Sequence, residues 1–378
     1  MAGVDARAVV DAVASVTGGP AGHHDAVVTS ADQEVVANCL WYLSDHRVID
    51  LLERRLERAC EVHYAVAVSS GSAALELALV ACGVRPGDAV VVPALSFVAA
   101  MNAVLHVGAV PVLVDAAPSD LGLDPGGLLK VIEHDVLKAS MDVPRRRLAA
   151  IVAVHVLGHS CAIAAIAKIA AIHRIPLIED AAEALGSSSD GRPCGSWGTA
   201  AVLSFNYNKI VTGGGGGALL TNDPGIAARS RHLATTARIA HPWLVAHDEP
   251  AWNYRMSTMS AALAASQLFR LCRMLTAKRA LASAYQAALH GIDGVGFHVE
   301  PPGTFSNYWL NTILVPAGDR DAVLTALHER GLMARALFTP MHQLAPYAMY
   351  GDRFPVADNV WSRAVCLPSG VVLGEKYI

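Results

Sequence analysis

Residues 203–223 read LSFNYNKIVTGGGGGALLTND, and this stretch decides the fold class. The apolar run ending at Ser204 predicts a strand, and residues 218–220 resume a second strand directly after five glycines. A flexible linker would also explain the glycines, but a close backbone approach to a ligand or facing chain fits this pattern better. Lys209 lies in the turn between the strands, where lysines that only face solvent are unusual. Lysine amines in desolvated sites form Schiff bases with carbonyl cofactors.

From Tyr64 onward, short apolar runs alternate with helical patterns, which predicts a mostly parallel sheet covered by helices. The predicted strands, seven in all, lie near residues 65–68, 89–92, 110–114, 149–155, 176–179, 200–205 and 217–221. Helical spacing covers residues 31–61, 72–82, 97–107, 162–173, 224–237 and 261–289. Residues 305–315 and 322–330 predict a strand and a helix of a smaller lobe. The fold class is therefore α/β.

The 378 residues exceed the usual size of a single core, which favours more than one domain. Three parts are predicted: an N-terminal helical segment over 1–61, a large domain over 62–245, and a linking helix with a small α+β domain over 246–378. The hydrophobic fraction of 53% supplies enough material for buried cores.

Charge and composition exclude several classes of partner. A net charge of -4 without a basic block argues against nucleic acid. The N-terminus lacks the pattern of a signal peptide, and histidines, a lysine and an arginine interrupt the most apolar stretch, residues 148–178, so no membrane association is expected. Seven scattered cysteines without a CxxC pair favour a reducing cytoplasm.

Two further segments place polar groups where α/β sheets bind ligands, beyond the carboxyl ends of strands. Residues 68–75, VSSGSAAL, end a strand and open a helix, so free amides and the Ser72 hydroxyl offer a phosphate seat. An ordinary serine N-cap is the alternative. Residues 177–187 end a strand at Glu179 and Asp180; a carboxylate there can keep a pyridine nitrogen protonated, although Asp180 could also cap a helix.

These motifs together resemble the DegT/DnrJ/EryC1/StrS sugar aminotransferases, which have pyridoxal phosphate (PLP) fold type I. The resemblance rests on SSGSAALELAL, VVVPALSFVAAMNAVLHVGAVPVLVD, IEDAAEALGS, SFNYNKIVTGGGGGALLTND and NYRMS, and covers about residues 62–273. HVLGH at 155–159, Glu183, HDEPAWNYRMS at 247–257 and SNYWLN at 306–311 look most like the branch that aminates UDP-linked 4-keto-6-deoxy N-acetylaminosugars. Residues 44–48 depart from the family pattern in a segment that often faces substrate.

The resemblance implies a role for each matching position. Lys209 would carry PLP as a Schiff base, and Asp180 would pair with the pyridinium nitrogen. The phosphate would be held by Gly71, Ser72, the Ala73 amide and Ser204. Phe97 would stack on the ring, and Glu183 would lie near its 3-hydroxyl. Asn253 would reach the phosphate of a neighbouring subunit, so a homodimer with shared active sites is implied.

For the substrates we expect an amino acid donor, L-glutamate, and a nucleotide-linked keto sugar aminated at C4. The candidate substrate residues are His155, Tyr254, Arg255, Arg335 and His342. No metal site is predicted, because Gly158 interrupts the spacing of His155 and His159. The alternatives are a cyclitol or nucleoside-antibiotic ketone as acceptor, a sugar dehydratase, or a regulatory protein without turnover. The dehydratase is disfavoured because such members of the family replace the lysine with histidine.

Overall fold

The computed structural model describes residues 4–22, 28–40, 47–135, 146–351 and 353–378. Within these ranges the helices are α1 Ala6–Thr17, α2 Ser30–Leu40, α3 Arg47–Cys60, α4 Gly71–Ala81, α5 Ala99–His106, α6 Pro125–Lys130, α7 Ile163–His173, α8 Pro224–Ala234, α9 Thr258–Leu268, α10 Leu271–Leu289, α11 Arg320–Glu329, α12 Pro355–Trp361 and α13 Val371–Glu375. Short segments of other helix types occupy Val131–Asp135, Val156–Gly158, Met341–Gln343 and Ala345–Tyr350.

The strands are β1 Tyr64–Val68, β2 Ala89–Pro93, β3 Val110–Val114, β4 Leu148–Val154, β5 Leu177–Asp180, β6 Ser188–Ser189, β7 Arg192–Pro193, β8 Ala200–Ser204, β9 Gly217–Thr221, β10 Arg238–Ile239, β11 Ala246–His247, β12 Gly296–Phe297, β13 Thr304–Phe305, β14 Thr312–Leu314, β15 Arg335–Ala336 and β16 Ala364–Cys366. Seven of them form the central sheet in the order β1-β9-β8-β5-β4-β2-β3. Strand β9 is antiparallel to both neighbours, and the other pairs are parallel. All seven strands predicted for the large domain are present, which confirms the predicted α/β fold.

Both faces of the central sheet are buried, which explains why its strands are apolar throughout rather than alternating. In β4, Val152 and Val154 pack on the side that carries α4, α5 and α8. Ile151 and Ala153 pack on the opposite side, against α6 and α7. Toward β1 and β9, that second side is covered by α3 and α9. The sheet is therefore a rigid middle layer whose strand ends are fixed in space.

The C-terminal part forms a smaller antiparallel sheet in the order β12-β14-β16-β15. Its core includes residues of α10 and α11 together with Val9, Val10 and Val13 of α1. The N-terminal segment thus contributes to two cores, because Leu52 and Leu56 of α3 pack in the large domain. Among the described residues, none of the helices combines the length and the apolar character needed to cross a membrane.

Three predicted elements differ from the structure. Helix α8 ends at Ala234 rather than near 237, because Thr236 and Ala237 adopt positive φ angles of 64° and 50°. The stretch 261–289 is divided into α9 and α10, since Arg270 leaves the helical conformation and pairs with buried Asp32. The single strand predicted over 305–315 is interrupted: Phe305 ends β13, residues 306–311 are irregular, and β14 covers Thr312–Leu314.

Candidate active site

A cleft of about 690 Å³ lies at the ends of the central strands, between the large and small domains. The predicted site residues that line it are Gly71, Ser72, Phe97, Asp180, Glu183, Ser204, Lys209 and Arg335. Most of them directly follow a strand of the sheet or begin the helix after it, as expected for a ligand site in an α/β fold. Arg335 comes from β15 of the small domain.

Lys209 lies in the turn after β8, with its side chain largely buried. Its Nζ is 3.4 Å from Glu183 Oε1 and 3.8 Å from the centroid of the Trp309 ring. The other Glu183 oxygen accepts a hydrogen bond of 2.9 Å from the Leu157 amide. The amine of Lys209 is therefore held between a carboxylate and an aromatic ring.

Asp180 ends β5 and is buried in the floor of the cleft. One of its oxygens accepts a 3.1 Å hydrogen bond from the Ala182 amide. Burial raises the pKa of Asp180, against the lowering effects of the Ala182 hydrogen bond and the Lys209 charge. Burial likewise raises the pKa of Glu183, against the charge of Lys209. A cationic group entering the cleft would therefore be stabilised by two desolvated carboxylates.

The start of α4, where the sequence predicts a phosphate seat, lines the cleft. Ser70 is the N-cap of this helix: its Oγ accepts a 3.0 Å hydrogen bond from the Ala73 amide. The Ala73 amide is thus used within the protein. Gly71 and Ser72 occupy the first two helical positions, where amides have no intrahelical acceptor. A Cβ at Gly71 would lie 3.1 Å from Ser204 Cβ, so a glycine keeps this seat open.

The glycine run is explained by close packing on neighbouring chain segments. A Cβ on Gly217 would lie 2.5 Å from the Ser70 carbonyl carbon, and one on Gly216, whose φ is +112°, would lie 2.5 Å from Met256 Cε. The run therefore brings the strand that follows Lys209 against the start of α4. This packing connects the lysine turn directly to the phosphate seat.

Phe97 is 56% exposed in the cleft and makes an edge-to-face contact with Phe338, with ring centroids 5.7 Å apart. Its ring is thus accessible to a planar ligand. Ser204, at the end of β8, accepts a 3.4 Å hydrogen bond from the Asn206 amide and faces the start of α4.

Four of the five residues expected at the substrate do not line the cleft. His155 is fully buried, with Nε2 3.0 Å from Glu179 and Nδ1 accepting a hydrogen bond from the Cys161 amide. The expectation that His155 contacts substrate disagrees with this burial, because the ring lies against Glu179 of β5 and is not part of the cleft lining. His342 is buried and pairs with Asp358 at 2.9 Å.

The hydroxyl of Tyr254 donates a 2.7 Å hydrogen bond to Glu76, and burial together with this carboxylate raises the pKa of Tyr254 to about 12. Tyr254 therefore fixes the segment 253–255 to α4 rather than lining the cleft. Its neighbours Asn253 and Arg255 are exposed in a separate surface pocket with Arg238 and His241. Residues 44–46, where the sequence departs from the family pattern, lie outside the described residues.

Trp309 lines the cleft but was not among the predicted site residues. Its indole Nε1 donates a 2.8 Å hydrogen bond to the carbonyl of Asn208, the residue before Lys209. The motif SNYWLN at 306–311 was the available signal, since it stood out in the sequence without an assigned role. Periodicity could not identify it, because the segment has no regular secondary structure.

The family model described as "DegT/DnrJ/EryC1/StrS aminotransferase family" matches residues 29–378. The chain belongs to this family. It is 32% identical to GDP-perosamine synthase of Vibrio cholerae over 87% of both chains. It is 31% identical to L-glutamine:2-deoxy-scyllo-inosose aminotransferase of Micromonospora echinospora over 91% of this chain and 87% of the relative. The crystal structure of DesI with its TDP-sugar product superposes with a TM-score of 0.82 and 28% identity, covering 97% and 93% of the two chains.

The protein is accordingly a PLP-dependent sugar aminotransferase. The residues of the cleft fit this cofactor on structural grounds. Gly71 and Ser72 open α4, where backbone amides have no acceptor within the helix, and such a position suits a phosphate. A buried carboxylate, Asp180, and a lysine amine lie in the same cleft.

Proposed function

We propose that this aminotransferase moves an amino group from L-glutamate to C4 of a nucleotide-linked keto sugar, with Lys209 as the cofactor-bearing residue. The observation that carries the proposal is the meeting of Lys209, Asp180 and the start of α4 in one cleft. PLP, when bound, supplies an electron sink for the pair left on the amino-acid carbon. Residues of the chain itself would bind the cofactor, keep its ring nitrogen protonated and transfer the proton.

The roles follow from position and charge. The amides of Gly71 and Ser72 and the hydroxyl of Ser204 would bind the cofactor phosphate. Asp180 would keep the ring nitrogen protonated, because a cation beside it relieves the cost of its buried charge. Phe97 offers an exposed ring face.

Lys209 would move the proton between the donor carbon and the cofactor carbon, as a general base and then a general acid. Glu183, 3.4 Å from its Nζ, orients the amine and stabilises its charged form. The same residues serve both halves of the transfer, because donor and acceptor use the cleft in turn.

Arg335 is the residue best placed to meet a nucleotide diphosphate, since it lines the cleft and is exposed. A guanidinium binds phosphate oxygens in a bidentate manner. The printed names of the Vibrio cholerae relative and of DesI, with GDP-perosamine and a TDP-sugar, support a nucleotide-linked acceptor. A UDP-linked 4-keto-6-deoxy sugar with a 2-acetamido group remains our specific prediction from the sequence motifs.

The experiment is an acceptor comparison with enzyme first charged with L-glutamate. UDP-, dTDP- and GDP-linked keto sugars, the free keto sugar and a cyclic polyol ketone are offered at equal concentration, and amino transfer is measured by mass spectrometry. We expect the UDP-linked sugar to be used fastest and the free sugar to be poor in rate as well as binding, because remote binding energy orients the reacting carbon. Indifference to removal of the nucleotide would contradict the proposal.

A cyclitol ketone is the second candidate acceptor, favoured by the similarity to the Micromonospora echinospora enzyme. Preference for the polyol ketone in the same comparison would select it. The name of that enzyme also indicates L-glutamine as its donor, so charging with L-glutamine is measured in parallel. Faster charging by L-glutamine would replace L-glutamate in the proposal.

We also propose a homodimer with shared sites. Asn253 is exposed and lies outside the cleft of its own chain, which suits a contact with the cofactor phosphate of a second copy. Inactive Lys209→Ala and Asn253→Ala subunits are mixed and exchanged. One site of each heterodimer would then carry both lesions and the other neither, so activity should return. Failure to regain activity after verified exchange would mean that each site is built from one chain.

A further inference from the structure

Trp309 lies beside the reacting end of Lys209. The centroid of its ring is 3.8 Å from Lys209 Nζ, well inside the roughly 6 Å over which an aromatic face attracts an ammonium group. The residue is 4% exposed, so this attraction acts with little competing water. Both residues line the cleft and a smaller neighbouring cavity of about 260 Å³, and together they form part of the wall between them.

Four hydrogen bonds hold Trp309 and its segment in place. The Trp309 amide donates to Asn307 Oδ1 at 2.7 Å, and Asn307 Nδ2 donates to the carbonyl of Glu183 at 2.8 Å. The Trp309 carbonyl accepts a 2.8 Å hydrogen bond from Lys278 Nζ, and the indole donates to Asn208. The ring is therefore tied to the turn of Lys209 and to the loop of Glu183.

The side chains of Lys278 and Asn307 bind backbone groups around Trp309, and neither residue is part of the cleft lining. Lys278 is 3% exposed, also donates to the carbonyl of Ser369, and burial lowers its pKa to about 7. Asn307 is fully buried and donates additionally to the carbonyl of Leu185. Both residues act on the site through Trp309 and the neighbouring backbone.

We propose that Trp309 is a catalytic residue whose ring stabilises the proton-bearing amine of Lys209, with Lys278 and Asn307 as positioning residues. The inference rests on the proposed role of Lys209. In the proposed transfer, Nζ would take the proton from the donor α-carbon and would later give the same proton up again as a general acid. PLP, when bound, would supply the electron sink for the pair of the broken C–H bond. Between these two steps the amine is charged, and the Trp309 ring and Glu183 stabilise the charge.

The test measures how fast Lys209 reacts with trinitrobenzenesulfonate in the full chain freed of cofactor, by peptide mapping over a range of pH. Only the uncharged amine reacts. Near neutral pH, Trp309→Leu should raise the rate about 2- to 30-fold, which corresponds to a cation–π interaction of ~0.5–2 kcal/mol. At high pH, where the amine is uncharged in both proteins, the rates should converge.

The matched control is Trp361→Leu, since Trp361 also lies under a cation, Arg320 at 4.6 Å, but in α12 away from the cleft. It should leave the labelling of Lys209 unchanged. Trp309→Phe keeps an aromatic face and should fall between wild type and Trp309→Leu. Trp309→Met, another variant without a ring, replaces Trp309→Leu if that protein does not fold. A rate ratio that is the same at every pH would show simple shielding and overturn the inference.

Two further measurements separate this inference from the assignment of Lys209. Borohydride reduction of the holoenzyme locates the cofactor: an adduct on another lysine overturns both proposals, whereas an adduct on Lys209 with unchanged labelling in Trp309→Leu overturns this one alone. In the holoenzyme, Trp309→Leu should slow the single-turnover reaction with L-glutamate while its dependence on donor concentration is preserved.

Lys278→Met tests the positioning role of Lys278. Like Trp309→Leu, it should accelerate the labelling of Lys209, and unaltered labelling would remove Lys278 from the mechanism.

Discussion

The two walls of the cleft position their functional groups by different means. On the large-domain wall, Asp180 ends β5 and Lys209 lies in the turn after β8, so the sheet itself places them. On the small-domain wall, residues 306–311 have no regular structure and are held by hydrogen bonds between side chains and backbone groups. The positions of Asp180 and Lys209 therefore follow from local sequence patterns, whereas those of residues 306–311 depend on contacts with residues far away in the sequence. Substitutions on the two walls should therefore fail in different ways.

The largest effect is expected for Lys209→Ala on the large-domain wall. Loss of the amine removes both the covalent link to PLP and the proton transfer, so turnover should fall on the order of 10⁴-fold or more. Stability should change little, because the sheet does not depend on this side chain. Visible absorbance and single-turnover rates measure the effect. Lys168→Ala, an exposed lysine on α7, is the control, and an equal loss there would contradict the assignment.

Asp180→Asn tests the same wall with a smaller change. The amide keeps the shape but cannot hold the ring nitrogen protonated, so we expect the cofactor to remain bound and turnover to fall about 10²-fold. Cofactor content and the rate of amino transfer are measured on the same preparation. Near-normal turnover would mean that Asp180 only accepts the Ala182 amide, as a loop cap does.

The difference between the walls also explains what the sequence could predict. Both Asp180 and Lys209 were identified because an apolar strand stopping at a polar residue is a local signal. Trp309 was missed because its position depends on Tyr308, whose φ of 45° interrupts the predicted strand, and on contacts more than 100 residues away in sequence. Likewise, the helix predicted to begin at Ser72 begins at Gly71, with Ser70 as its N-cap, since the exact first residue of a helix depends on backbone geometry.

Asn307→Ala tests the small-domain wall. The substitution deletes hydrogen bonds to the Trp309 amide and to the carbonyls of Glu183 and Leu185, all in the interior. We expect a loss of about 3 kcal/mol in the free energy of unfolding, roughly one for each bond. Denaturant titration measures it, with exposed Asn359→Ala as the control. If Asn307→Ala is as stable as Asn359→Ala, packing alone holds residues 306–311. The two walls would then not differ in how they position their side chains.

Two buried histidines, His159 and His298, lie behind the small-domain wall, and we expect them to make the folded protein less stable in acid. The rings of His159 and His298 lie 4.6 Å apart, and His159 contacts Tyr308 at 5.1 Å. Both nitrogens of His159 and Nε2 of His298 are buried without a hydrogen-bond partner among the described residues. Burial lowers the pKa of His298 to about 4, and burial, His298 and Arg279 lower that of His159. Both rings are therefore packed in their neutral form.

The smallest effect is expected for His298→Phe, and only in acid. Because the pKa of His298 is about 4 when folded and about 6.5 when unfolded, the unfolded chain takes up the proton first as pH falls. The contribution of neutral His298 to the free energy of unfolding is complete above about pH 6.5 and is lost as the pH falls toward 4. At pH 5 the loss is about 2 kcal/mol. His298→Phe keeps a ring against His159 without a titrating group, so its unfolding free energy should fall less between pH 8 and pH 5. Exposed His290→Phe is the control. If wild type and His298→Phe lose the same unfolding free energy between pH 8 and pH 5, the acid sensitivity arises from other groups. The small-domain wall would then be no more sensitive to acid than the central sheet.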